Sequence, residues 1–132
     1  MAYLHDEVYD NGLTRISDMD GDVDLVLHIC TGGAVPADHA AALAASVGNK
    51  DEIGVTGPTA GSPNGRQITI GAIIAADPGS VTFTDDATCV ALLDNTANIL
   101  LAARMLASPQ GVTEGNDFTL TSWVIRIPAP VS

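Results

Sequence analysis

The densest chemistry in the chain is the stretch "DMDGDVD", where Asp18, Asp20, Asp22 and Asp24 place four carboxylates within seven residues beside a glycine. Alternating acids around a tight turn are what a calcium loop uses, because the cation takes about six to eight oxygens. In a register begun at Asp18, Asp20 and Asp22 fall on ligand positions. Val23, however, stands where the sharp turn needs glycine, and Ile29 where a bidentate glutamate is needed. The residues that follow, "VDLVLHIC", have the alternation of a strand and not the period of a second helix. The stretch is therefore read as a solvated turn capping a strand, with no required metal site.

The remaining reactive side chains do not assemble by spacing. His5, His28 and His39 lie in three separate predicted elements, and the only close metal-type pair, His28 with Cys30, supplies two ligands where zinc takes three or four. "GSPNG" has a superficial likeness to a nucleophile elbow, but its proline and turn formers make it a loop. "TGPTAGSPNGR" lacks the Gly-Lys-Ser/Thr ending and the strand-to-helix context of a phosphate cradle. Glu7, Glu52, Glu114 and the other aspartates are dispersed over turns and helix ends, where acids serve solubility and helix dipoles. No catalytic residue, cofactor-binding residue, cofactor or metal set is expected, and the chain reads as a non-enzyme.

The elements that carry these residues belong to one domain, residues 1–132. Hydrophobic residues make up 46% of the chain but aromatics only 4%, so the core must be built from Val, Ile and Leu, which favours strands. A formal charge of −11 with five Lys plus Arg argues against direct contact with nucleic acid and with acidic membrane surfaces. No apolar run approaches the length of a membrane span, and "MAYLHDEVYDNG" has acids where an export signal needs bases. Cys30 and Cys89 fall in separate predicted strands. In the reducing compartment this implies, they are read as two buried free thiols.

Along the chain, "YLHDEVYDNGLTRI" (residues 3–16) predicts a short N-terminal helix, weakened around Asn11 and Gly12. The first strand then directs Val23, Leu25, Leu27 and Ile29 to the core and Asp24, Val26, His28 and Cys30 to the other face. Pro36 starts an alanine-rich helix of about ten residues that stops at Gly48. Residues 53–66, rich in Gly, Pro, Ser, Thr and Asn, predict an exposed loop. "RQITIGAIIAA", "SVTFT", "ATCVALLD", "ILLAARML" and the terminal "FTLTSWVIRIP" predict strands joined by the turns "DPGS" and "NTAN". The expected architecture is a mainly β, antiparallel sandwich or barrel with one or two short helices in the N-terminal half. The single Trp123, in the most regular strand, is expected on the core or at a subunit contact.

Taken end to end, the order of "DNGL", "LHIC", "NGRQITI", "ATCVALLD", "LLAARML" and "SWVIRIPAP" resembles a family of small virion proteins that tailed bacteriophages encode among their head genes. These segments span most of the chain, and residues 32–62 fit more loosely. The resemblance implies a structural virion protein, a decoration or cement protein bound to the outer face of the capsid, assembled in the host cytoplasm, with the major capsid protein as partner. Strand edges and capsid symmetry add an expected homo-oligomer, with a trimer the first choice. Tyr3, Leu4 and Tyr9 of the N-terminal segment are the expected apolar anchor, with Trp123 a further candidate contact. Two alternatives belong to other classes: a head-to-tail or tail component, which would have the same composition, and a small ligand-binding β module that uses the 53–66 loop.

Overall fold

The computed structural model describes residues 3–4, 13–60, 65–73, 81–116 and 118–127. Among these, eight strands and two short helices follow the order β1 (Tyr3–Leu4), α1 (Thr14–Ser17), β2 (Leu25–Cys30), α2 (His39–Ala45), β3 (Ser46–Lys50), β4 (Val55–Ala60), β5 (Arg66–Ile70), β6 (Asp85–Asp94), β7 (Ile99–Val112) and β8 (Trp123–Ile127). They form two antiparallel sheets, a five-stranded one in the order β1-β7-β6-β2-β3 and a three-stranded one in the order β4-β5-β8. The mainly β, antiparallel architecture expected from the sequence is the one observed, here as two sheets.

Every residue of β2 is buried, which an antiparallel strand achieves only when both of its faces are covered. Leu25, Leu27 and Ile29 point between the sheets, where they join Val90, Leu92 and Leu101 and meet Val55, Ile68, Ile70, Trp123 and Ile125 of the smaller sheet. On the opposite face Cys30, Cys89, Ala91, Leu93, Leu100 and Ala103 form a second cluster closed by Ala42 of α2, with Val35 and Ala45 against it. The small side chains Ala91 and Ala103 let this short helix lie close to the sheet. The fold is thus three layers: helix, large sheet, small sheet.

Several local expectations are corrected. Of the helix expected over residues 3–16, the described residues show the turn Thr14–Ser17, where Leu13 and Ile16 enter the core. Tyr3 and Leu4 instead pair with Ala103 and Ala102 as an edge strand, because a helix this short gains little by itself and an open sheet edge offers backbone partners. Residues 5–12 lie outside the described residues. Val23, expected on the core face, is 59% exposed. The strand starts two residues later because the Asp22 carboxylate accepts the Asp24 amide at 2.8 Å and closes a side-chain turn.

The second helix starts not at Pro36 but at His39, with Asp38 as N-cap accepting the Ala41 amide at 2.8 Å. It ends at Ala45 because Ser46–Lys50 is drawn into the sheet beside β2, burying Val47. The expected loop 53–66 contains β4, and Ile53 and Val55 are core residues. Its turn-like Gly57 and Pro58, joined by a cis peptide, fall in an irregularity between the Thr56 and Thr59 pairings of an edge strand, where a missing amide donor is tolerated. Gly57 adopts a φ of +107°, and a Cβ there would approach the Gln67 carbonyl to 2.8 Å.

The described residues of "SVTFT", Val81–Thr84, form no strand. Val81 makes an isolated bridge to Gly48 and Phe83 is exposed. The "NTAN" turn does join β6 to β7, with Asn98 at positive φ. However, β7 runs on to Val112, and Pro109 falls in the irregular stretch between the Met105 and Gln110 pairings.

Trp123, on β8, closes the inter-sheet core and is only 9% exposed. Removing so large a buried ring leaves a cavity, so Trp123→Ala is expected to destabilise by about 3–5 kcal/mol. The check is urea denaturation followed by far-UV circular dichroism, where an unchanged midpoint would contradict this packing.

Candidate interaction surface

Three chain segments bring carboxylates to one end of the molecule, where β2 begins and β6 ends. The Gly21 amide donates to the Ile53 carbonyl at 3.0 Å, joining the Asp18–Asp24 turn to the segment that follows Asp51 and Glu52. The Asn95 amide donates to the Asp24 carbonyl at 2.9 Å, and the Thr96 hydroxyl to the Asp24 carboxylate at 2.8 Å, joining the same turn to the β6–β7 connection. The resulting pole carries Asp18, Asp20, Asp22, Asp24, Asp51, Glu52 and Asp94. Its two cations are committed: Arg15 pairs with Asp94, and Lys50 donates to the Asp51 carbonyl at 2.7 Å.

The aspartates here act chiefly as acceptors for the protein's own donors. Asp20 accepts the Val55 amide at 2.7 Å and so ties the turn to β4. Asp94 is buried beside Arg15, and one carboxylate oxygen accepts the amides of Thr96 at 2.9 Å and Ala97 at 3.2 Å. Burial alone would push the Asp94 carboxyl up. The bond from Arg15 and the two amides outweigh it and hold the group below the usual carboxylate range. Among the described residues no group of three or more His, Cys, Asp or Glu side chains is placed to hold a metal ion.

A second polar cluster lies where β2, β3 and α2 meet. His28 is buried, with Nδ1 2.7 Å from the Ser46 hydroxyl, which itself donates to the Gly48 carbonyl at 3.1 Å. With the hydroxyl proton so engaged, Nδ1–H of a neutral imidazole is the donor, and His28 does not activate Ser46 as a base would. Burial first, and the neighbouring His39 second, lower the His28 pKa to about 4. His39 reaches from α2 to Asn95, Nε2 to Oδ1, at 2.8 Å.

His28 and Cys30 do share a strand face, as their spacing predicts, but each is satisfied separately. Cys30 Sγ donates to the Ala42 carbonyl at 3.6 Å and Cys89 Sγ to the Cys30 carbonyl at 3.8 Å. Both thiols are buried and free, as expected. Cys30 is pushed up, first by its hydrogen bond to Cys89 and then by burial, so Cys89 is the thiol that ionises first.

The candidate contacts separate. The Trp123 ring belongs to the core and not to the surface, with the Arg104 guanidinium stacked 5.5 Å from its centre. Of the two places expected for Trp123, the core or a subunit contact, the structure shows the core. Sequence reasoning had no signal for Arg104, whose buried Nε has no hydrogen-bond partner among the described residues. Tyr3 and Leu4 lie in β1, on an outer edge of the large sheet, and Tyr9 falls outside the described residues. The exposed apolar residues Val23, Leu43, Phe83 and Val124 belong to four different segments. No helix among the described residues is long and apolar enough to cross a membrane.

The fold and surface define a small three-layer β protein with an acidic pole braced by its own backbone. No protein-family model matches the chain, and no curated protein or solved structure matches it.

Two outcomes follow from this geometry. Because the aspartates of the 18–24 turn serve backbone and side-chain donors, the melting temperature is expected to be the same in calcium and in chelator. A calcium-dependent rise of several degrees would reveal a ligand bound by the native state. His28 has a folded pKa of about 4 against an ordinary 6.5, so the unfolded chain binds the extra proton between these values. The contribution is complete above pH 6.5 and is lost as pH falls toward 4, amounting to about 3 kcal/mol. Urea denaturation across that window should show the loss in the native sequence and a flatter profile in His28→Gln.

Proposed function

We propose that this protein is a structural component of a virion that decorates and stabilises the capsid shell from outside, with the major capsid protein as its partner. The reading rests on the sequence resemblance to small phage head proteins. The structural observation that carries it furthest is the acidic pole, where the carboxylates of Asp20, Asp22, Asp24 and Asp94 are held by backbone amides and a hydroxyl before any partner arrives. Complementary charge of this kind steers encounter with a Lys- or Arg-bearing surface, and fixed donors and acceptors reduce the ordering that docking requires. The same charge repels packaged nucleic acid, consistent with an outer position. Edge strands of both sheets offer sites where symmetric copies, a trimer in the first instance, join one another or the shell.

Charge acts on association and apolar contact on dissociation, and exposed charges are screened over about 8–10 Å at physiological salt. The test is add-back of purified protein to heads that lack it, followed by timed release. Raised salt, or Asp18→Asn with Asp22→Asn and Glu52→Gln, should slow loading yet strip little from loaded heads. Deleting residues 1–9 should shorten residence. Failure of any form to bind heads would reject decoration, and a count of copies per particle separates it from a head-to-tail or tail component.

A further inference from the structure

Cys30 and Cys89 are 59 residues apart in sequence yet stand directly opposite each other on β2 and β6. Opposed residues of antiparallel strands have Cα atoms about 4.5–5.5 Å apart, inside the range of about 4.4–6.8 Å that a disulfide spans. Both side chains lie on the face covered by α2 and belong to the same buried cluster. The cover itself is light. The helix has seven residues, contributes only Ala42 and Ala45 to that cluster and leaves Leu43 exposed. Short elements with little apolar burial open locally without global unfolding. Thr88, next to Cys89, donates to the Gly32 carbonyl at 2.6 Å and ties the chain just beyond Cys30 to β6. The two sulfurs are therefore held in register from both strands when the helix lifts.

We propose that Cys30 and Cys89 form a disulfide modification site, a cross-strand dithiol oxidised by low-molecular-weight disulfides, and that α2 is the cover whose opening sets its rate. The inference goes beyond the decoration reading and does not depend on it. In the first step the Cys89 thiolate, having lost its proton to solvent, attacks one sulfur of the small disulfide and expels one small thiolate. In the second, Cys30 loses its proton and attacks the Cys89 sulfur of the mixed disulfide, expelling the other. Two protein thiols are oxidised to one bridge, one small disulfide is reduced to two small thiols, and each released thiolate takes up a proton. The bridge closes a long loop of the unfolded chain, so the oxidised protein is the more stable form.

The experiment uses the full chain, reduced and then incubated with oxidised glutathione in native buffer, with samples quenched in acid and thiols alkylated in denaturant. The expected result is loss of both thiols together, an intact monomer mass lower by two hydrogens, and a peptide joining Cys30 to Cys89. The melting temperature should rise by more than about 5 °C. Persistent thiols, glutathione retained on either cysteine without a bridge, or a link between two chains would overturn the site. Cys30→Ser should stop at the glutathione adduct on Cys89, and a variant that remains unmodified would contradict the order of attack. Loss of the cap in Asp38→Ala should speed thiol loss by about fivefold, and an unchanged rate would overturn the role of α2. In the native sequence, amide exchange should be faster in α2 than in β2 and β6. Equal protection would mean that the thiols react only through global unfolding, and the cover would be rejected.

Discussion

The burial of β2 on both of its faces is the constraint on which the rest of the structure depends. "LVLHIC" is apolar enough on both faces that neither can be left to water, and the chain answers with a different layer on each side. The three branched residues at alternate positions face the smaller sheet, whose Ile, Val and Trp side chains fill the inter-sheet space. The other face, with His28 and Cys30, is covered by α2 and its connections. Full burial of an Ile or Leu side chain contributes about 1.5–3 kcal/mol, so the gain from covering β2 on both faces exceeds any local preference of the segments recruited to do it. This is why residues whose local chemistry favours turns, such as Ser46–Lys50 and Val55–Ala60, are found as strands.

The acidity of the chain has two components that composition alone merges. Some carboxylates, such as Asp20 and Asp94, are structural acceptors that replace missing backbone partners at the ends of strands and turns. Asp38 does the same at the start of α2. Others, such as Asp18, Asp51 and Glu52, are exposed and contribute field more than bonding. Because the structural acids lie among the exposed ones, the pole is negative and is tied to the fold by backbone hydrogen bonds. Those bonds distinguish it from a solvated acidic tail, whose charges must be ordered at each encounter.

Polar groups inside the fold are treated differently on its two buried faces. On the helix side His28 is kept neutral by burial and engages Ser46, and the paired thiols act as small apolar fillers under alanines. Between the sheets the one guanidinium is spread over the Trp123 ring, whose face offers electron density without requiring a carboxylate. Trp123 thus combines a core residue's packing with the stabilisation of a partly buried cation.

The sequence by itself determined the class of fold, the alternation of β2, the hairpin between "ATCVALLD" and "ILLAARML", and the departure of the 18–24 turn from a calcium-loop register, because these depend on contacts or registers within a few residues. It also determined the negative charge and placed His28 and Cys30 on one strand face. Only the tertiary structure decided that Val23 stays outside, that Gly57 and Pro58 lie in a strand, that Tyr3 and Leu4 pair at a sheet edge, and that Trp123 is enclosed with Arg104. Each of these depends on a partner far along the chain. The same holds for the acidic pole and for the Cys30–Cys89 pairing, which bring together residues from separate segments. The physical reason is that local periodicity reports which side of an element is apolar, whereas the identity of what covers that side is set by long-range pairing and burial, whose energies outweigh turn and helix propensities of a few tenths of a kcal/mol to about 1 kcal/mol.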